Sequence, residues 1–319
     1  MAIRQARRLH VLALATITAL ALTSCGGDDP EPEAPLSGPV VIDGSSTVEP
    51  LSVAAGNLFT AEHPDVQVAV TASGTGGGFK KFCAGQIDIS DASRAMSGAE
   101  SKACGERGVI FSALQVANDA LTVVVHKDNT WATCLTVEQL KKMWEPGSTV
   151  KSWNEIDPAF PNEPLSLFGA GTESGTFDYF TQAITGKEGA SRTDYRASED
   201  DNDTVTGVAA AKGALGYFGF SYYEDNTDKL RAVQIDSGKG CIAPSVPTAQ
   251  DGSYKPLARP LFIYLTDTAL KKPQVEKFAE FYINNNAKIV ATAGFIPMTS
   301  PQLSQARAEL ADIVETAGQ

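Results

Sequence analysis

Histidine is almost missing: His10, His63 and His126 are the only three in 319 residues. That scarcity removes the commonest neutral metal ligand and the commonest general base from most of the chain. The five cysteines form no CxxC pair, so a zinc clamp is excluded as well, and the pattern calls for no cofactor. Basic residues are also short, 26 Lys and Arg against 38 Asp and Glu, for a net charge of −12. A chain so acidic lacks the positive face that nucleic acid requires. It can still hold a small anion, because a buried site is governed by local donors while the global field acts on encounter and solubility. Long apolar runs are limited to Val11–Leu22, shorter than the roughly 20 residues that span a bilayer. What remains, 43% hydrophobic and 20% charged, is the composition of a globular protein long enough for two core-bearing lobes.

The apolar run follows Arg4, Arg7 and Arg8, the layout of an export signal over residues 1–24. It ends in Leu22-Thr23-Ser24-Cys25, which resembles a bacterial lipobox, so Cys25 is expected to be lipidated and to become the new N-terminus. Removing residues 1–24 leaves 23 basic residues against 38 acidic ones, a net charge of −15. Residues 25–38 then form the lipidated cysteine and an acidic, Pro-rich tether that has too little apolar surface to fold. The acyl chains would be the membrane anchor and would hold the folded body just outside the cell membrane. Cys83, Cys104, Cys134 and Cys241 make an even set in an exported chain, which favours disulfides. Three pairings are possible; Cys83–Cys104 with Cys134–Cys241 keeps each bond within one lobe.

Three loops rich in small and hydroxyl residues each follow a strand-like run and precede a helix-like one. They are Gly44-Ser45-Ser46-Thr47, the run from Ser73 to Gly78, and Gly171-Thr172-Glu173-Ser174-Gly175-Thr176. A helix start offers free N–H groups and the positive end of the macrodipole. Hydroxyls add donors, and glycine lets backbone approach a ligand. One such loop is an ordinary cap; three predict a small tetrahedral oxyanion gripped from several sides.

Around these loops the periodicity predicts strands at 40–43, 66–70, 87–90, 121–125, 165–168, 214–220 and 261–265. Helices are expected after each loop, from a capping box at Thr136–Gln139 through Trp144, over 205–212, and around 273–290 and 300–317. Alternating strand and helix implies a mainly parallel α/β sheet with ligands at the strand C-terminal ends. Trp131, Trp144, Trp153, Tyr217, Tyr222 and Tyr223 read as core or cleft-rim packing.

The stretches DGSSTVEP (43–50), SGTGGGFKKFCAGQIDISDASR (73–94), GTESGTFDYF (171–180), ALGYFGFSYY (214–223) and PLARPLFIYL (256–265) resemble the phosphate-binding proteins of phosphate-specific ABC transporters, the lipid-anchored PstS family. The resemblance implies an α/β, type II periplasmic binding fold: two α/β lobes joined by two hinge strands, with lobe 1 at 39–122 and 258–319 and lobe 2 at 123–257. It implies a monomer that is no enzyme, captures inorganic phosphate between the lobes and delivers it to membrane permease subunits. Ser46 and Thr47, Thr75, and Ser174, Gly175 and Thr176 would supply the neutral donors, with Ser73 as helper. Arg94 would be the lone charge partner, since a guanidinium matches two phosphate oxygens; Lys80 and Lys81 read as solvated. Glu173 would accept the proton that phosphate carries and sulfate lacks, with Asp91 and Asp88 as fallbacks. Competing readings fare worse. Gly171–Gly175 is GxxSG rather than the GxSxG elbow of a hydrolase, and Gly74–Lys80 lacks the GK[ST] ending of a P-loop. A site for sulfate, molybdate or a phosphonate is the nearest alternative.

Overall fold

The computed structural model describes residues 35–319 apart from Glu173 and Glu199. The export signal, Cys25, most of the tether and the candidate acceptor Glu173 therefore lie outside the described residues. The first half opens as expected. Strand β1 (Gly38–Gly44) leads through the first loop into α1 (Glu49–Glu62), and β2 (Val66–Ala72) leads through the second into α2 (Thr75–Cys83). Helix α1 buries Leu51, Ala54, Ala55 and Phe59, the face its spacing predicts. Strand β3 (Ile89–Ala92) starts two residues later than the periodicity suggests, and so takes in Asp91, which is fully buried. Helix α3 (Gly98–Gly105) escaped the periodicity because Cys104 is the one residue it buries. Its sequence signature is instead the capping box of Ser97 and Glu100.

Strand β4 (Phe111–His126) is sixteen residues long, and the 121–125 prediction covers only its last third. Gln115, Asn118 and Asp119 break the apolar run that would have shown the rest. Beyond it come β5 (Cys134–Thr136), α4 (Val137–Trp144), β6 (Ser166–Ala170), α5 (Gly175–Thr185), β7 (Arg196–Ser198), α6 (Asp201–Ala209) and β8 (Ala214–Gly219). Next are α7 (Phe220–Glu224), β9 (Leu230–Ala232), β10 (Gln234–Asp236), β11 (Cys241–Ile242) and α8 (Val246–Gln250). The chain ends with β12 (Ala258–Thr266), α9 (Asp267–Leu270), α10 (Pro273–Asn284), α11 (Asn286–Ala293) and α12 (Ser300–Gly318). The helix predicted over 273–290 is thus two helices, parted at the weak helix formers Asn284 and Asn285.

The main sheet runs β2-β1-β3-β12-β4-β8-β6-β7, with β9 also on β4. It is parallel at its two ends, β2-β1-β3 and β8-β6-β7, and antiparallel through β12, β4 and β8 in the middle. The mixed centre corrects the mainly parallel expectation, and its cause is β4. Residues 111–120 of β4 pair with β12, and 121–125 pair with β8. Two principal apolar cores flank this changeover. One gathers residues such as Val40, Phe59, Val116, Ile263 and Phe278. The other gathers Leu121, Trp144, Trp153, Phe180, Tyr217 and Leu257, joined by Ile296 from the chain end. Disulfides join Cys83 to Cys104 and Cys134 to Cys241, the expected pairing. Among the described residues no helix is long and apolar enough to cross a membrane.

Candidate functional site

The starts of α1, α2 and α5 converge beside the changeover. A cavity of about 420 Å³ there is walled by Ser45, Ser46 and Thr47 of the first loop and by Gly74 and Thr75 of the second. Ser93 and Arg94 beyond β3, Asp178, Tyr179 and Gln182 of α5, Glu188, and Arg259 of β12 complete the charged and polar wall.

Each loop is shaped by a few specific bonds. Ser45 donates its amide to the Asp91 carbonyl at 2.9 Å, and its own hydroxyl accepts the Thr47 amide at 3.2 Å. A β-carbon at Gly44, where φ is +146°, would stand 2.1 Å from that Asp91 carbonyl oxygen, so only glycine fits. In the second loop the buried Asp43 carboxylate accepts the Ser73 amide at 3.0 Å and its hydroxyl at 2.7 Å, and pairs through its other oxygen with Lys81. Burial alone would push this carboxyl up; the bonds from Lys81, Ser73 and Thr71 outweigh it and hold the group below its ordinary value. Ser73 is therefore committed to Asp43, and Lys81 is an ion-pair partner rather than a solvated surface cation. Thr75 lies within 3.1 Å of the Ser93 hydroxyl and accepts the Ser93 amide at 3.2 Å.

Helices α3, α4 and α12 all begin in capping boxes. Helices α1 and α2, whose starts face the cavity, begin without a side-chain cap. In α1 the first amides are spent within the chain, Val48 and Glu49 on the Ser45 carbonyl and Leu51 on Val48, so it is the first-turn N–H groups of α2 that are left for an external acceptor such as an oxyanion.

The third loop arrives from the opposite side. Ser174 caps α5, accepting the Thr176 amide at 3.1 Å. Gly175 sits directly on the first loop: a β-carbon there would lie 2.5 Å from the Thr47 amide nitrogen and 2.8 Å from the Ser46 carbonyl carbon. The Thr47 hydroxyl donates to the Gly175 carbonyl at 3.1 Å. Ser174, Gly175 and Thr176 consequently line a neighbouring recess of about 210 Å³, which shares Ser46 and Thr47 with the larger cavity. The structure brings Ser46, Thr47, Thr75 and Arg94 around one space and places Ser174–Thr176 just across Thr47 from it.

The charges differ most from the sequence reading. Arg94 lines the cavity, but its guanidinium is half exposed and clamped by Glu100 through bonds of 2.8 and 2.9 Å. That pairing raises the pKa of Arg94 and, with the Ser97 bonds, lowers that of Glu100 to about 2. The expectation of a lone guanidinium is corrected by Arg259. Its Nη2 donates to the Thr47 hydroxyl at 2.8 Å and its Nη1 to the Ser93 carbonyl at 3.2 Å. Asp119, directly opposite on β4, accepts from its Nε at 3.4 Å, and the Tyr179 ring stacks 3.3 Å away. Burial pushes the pKa of Arg259 down and that of Asp119 up, and each charge opposes the other's shift. The sequence signal was present: an Arg-Pro step near the start of the otherwise apolar stretch 256–265.

The fallback acceptors do not reach the cavity wall. Asp88 accepts the Val41 amide and pairs with Lys272. Asp91 is buried behind the first loop, where desolvation raises its pKa to about 8 against a lowering bond from Ser52. The carboxylates on the wall are Asp178, whose Oδ2 accepts from the Ser46 hydroxyl at 3.4 Å, and Glu188. The histidines sit elsewhere, His63 against Phe59 and His126 accepting the Asp128 amide. Trp144, Trp153 and Tyr217 are core residues, while Tyr222 lines the rim of the smaller recess. The arrangement suits reversible capture of a small oxyanion by neutral and cationic donors.

Residues 29–286 match the PBP superfamily domain model. Protein SphX of Synechocystis is 45% identical over 262 residues, covering 81% of this chain and 78% of its own. The phosphate-binding protein PstS of Staphylococcus saprophyticus is 35% identical over 298 residues, covering 92% and 91%. A crystal structure of a possible phosphate binding protein from Planctomyces limnophilus superposes with a TM-score of 0.84 at 45% identity, over 88% of this chain and 99% of that one. The fold is the type II periplasmic binding fold, two α/β lobes about two connecting strands, as the sequence resemblance implied. By sequence and by architecture, this chain belongs to the PstS-type phosphate-binding proteins of the PBP superfamily.

Proposed function

We propose that the protein captures inorganic phosphate in the cleft at the changeover and delivers it to the permease subunits of an ABC transporter. The observation that carries this reading is the meeting of the uncapped start of α2 with the Thr47 hydroxyl and the Arg259 guanidinium on one cavity wall. Ser46, Thr47 and Thr75 would donate to phosphate oxygens, joined by Arg94 and Arg259. Ser174, Gly175 and Thr176 would close over the ion from the far side. The separate apolar cores support lobes at 39–122 with 258–319 and at 123–257. Rotation about β4 and β12 would open and close the cleft, with reversible binding and no covalent step. Kinship with phosphate-binding proteins and the distance of His63 and His126 from the cavity support that non-enzymatic role.

Selectivity would come from carboxylate against protonated oxygen. Asp178 joins Glu173 as a candidate acceptor, because it already takes a hydroxyl at the cavity. Sulfate, with no proton to give, would face repulsion there. The lipobox supports an extracytoplasmic protein held to the membrane through Cys25, so Cys25→Ser should move it to the soluble fraction. Titration calorimetry at neutral pH tests the whole reading: phosphate should bind at least a thousandfold more tightly than sulfate, roughly the discrimination expected of an unpaired buried polar group. Equal binding of the two would contradict it, and preference for sulfate, molybdate or a phosphonate would reassign the ligand.

A further inference from the structure

We propose that the segment 293–302 is a third connection between the lobes, and that Ile296 and Gln250 are positioning residues that favour the closed cleft. This rests on the phosphate reading above and adds residues that govern affinity without touching the ion. The segment leaves α11, turns at Gly294 with φ +73°, and leads into α12. On it Phe295 and Met298 pack against the first core, whereas Ile296 between them is 6% exposed and lies in the second. One short stretch of chain therefore puts side chains into both cores, as β4 and β12 do.

Its backbone is held by β4. Asn118 and Ile296 exchange amide-to-carbonyl bonds of 2.9 and 3.1 Å, just before β4 changes partners. The buried Asn118 side chain donates to the Pro297 carbonyl at 3.1 Å and to Gln302 at 3.2 Å. Its oxygen accepts from Gln115 at 2.9 Å and from Gln302 at 3.3 Å. Lobe 2 joins through α8: Gln250 donates its side-chain amide to the Pro297 carbonyl at 2.9 Å, and its own carbonyl accepts from Gln302 at 3.3 Å. These amides are neutral and bonded, so the network holds without the desolvation cost of a buried charge. The segment also helps to wall the smaller recess: Ala293 to Ile296 line it together with Ser174–Thr176 and with Phe220 to Tyr222 of lobe 2. A β-carbon on Gly294 would stand 3.5 Å from the Ser221 hydroxyl, so lobe 2 lies close against the segment there. Swinging lobe 2 away from the first loop draws Ile296 out of its core and pulls on the Gln250 bond, so both contacts belong to the closed arrangement. A contact made in only one of two states shifts the equilibrium towards that state. A smaller closed fraction then lowers the apparent affinity in proportion.

Calorimetry and stopped-flow binding of inorganic phosphate, with small-angle scattering, test this on the intact protein and its Ile296→Ala and Gln250→Ala variants. Both variants should bind phosphate more weakly, Ile296→Ala by about tenfold, with faster release and unchanged association. Without phosphate their radius of gyration should exceed that of wild type, and saturating phosphate should remove the difference. Ile296→Val keeps most of the buried surface and should restore most of the affinity. Should Ile296→Ala fail to fold, Gln250→Ala, at a half-buried helix end, decides the matter. Lower stability in urea with unchanged affinity and release rate would overturn the proposal, leaving the segment as packing alone. Tighter binding in either variant would also overturn it, since the contacts would then belong to the open arrangement. Wild type that binds no phosphate would overturn the functional reading, and the proposal with it.

Discussion

Replacing Arg259 by methionine separates what this guanidinium does for the fold from what it does for the ligand. In the folded protein Arg259 is matched by Asp119 at 3.4 Å and bonds both Thr47 and Ser93. Arg259→Met leaves Asp119 without its opposing charge in a site that already raises its pKa. Breaking one side of a buried pair costs about 3–5 kcal/mol. A second change, Asp119→Leu, removes the stranded charge and should restore most of that stability, since apolar replacement of both partners is often near neutral. Affinity should behave differently. Hydrogen bonds to a charged group are worth about 1.5–3 kcal/mol each, so loss of one or two contacts to the anion weakens binding by about tenfold to about twenty-thousandfold. The double variant cannot recover this, because the cation is still gone. Urea unfolding and phosphate calorimetry on the wild type, the single and the double variant give both quantities. A double variant with wild-type phosphate affinity would refute the assignment, leaving Arg259 as a brace for Thr47 and nothing more.

Other consequences can be checked with the same tools. Glu100, held by Arg94 with its pKa lowered from 4.5 to about 2, contributes stability that is present above about pH 4.5 and lost as pH falls towards 2. Glu100→Gln should erase that part of the acid dependence in a denaturation series, and an unchanged series would mean the pair is not formed in solution. Asp91 has the opposite sign: raised from 3.8 to about 8 by burial, it makes the folded state progressively less stable as pH rises through that interval. Asp91→Asn should therefore be more stable than wild type near pH 8, with a flatter stability–pH curve; a steeper one would contradict the buried protonated carboxyl. Loss of the Cys134–Cys241 bond, whose ends are 107 positions apart in sequence, should cost more than loss of Cys83–Cys104, 21 apart. Chain entropy puts the two at about 4.7 and 3 kcal/mol, and serine double variants followed by urea unfolding would show the order.

The parts of the fold legible in the sequence were those built from local rules. Strand alternation in 66–70, helical spacing in 51–59 and the capping box at Thr136–Gln139 each name their element, and the structure places them there. The three hydroxyl loops were legible for the same reason, since a strand end, a glycine and a helix start are neighbours in the chain. Long-range pairing was hidden. The first two-thirds of β4 carries Gln115 and Asn118, which bond each other and the chain end at Pro297 and Gln302, and Asp119, which matches Arg259. Arg259 gave only the oddity of a charge near the start of an apolar stretch, and its meaning depends on Asp119, 140 residues earlier. Arg94 was found, but its partner Glu100 belongs to a helix too short and polar to show a buried face. Asp178 lies two residues past the recognised Ser-Gly-Thr, on the turn that faces Ser46, and only the folded chain brings that pair together.

The central claim is that loops distant in sequence converge with Arg259 on one dehydrated ion. A crystal structure of the protein grown with orthophosphate tests it most directly. The account predicts the ion in the cavity, within hydrogen-bond distance of Thr47, Thr75 and Arg259, with Ser174–Thr176 closing over it. An ion bound elsewhere on the molecule, or one in the cavity that those residues do not touch, would contradict it.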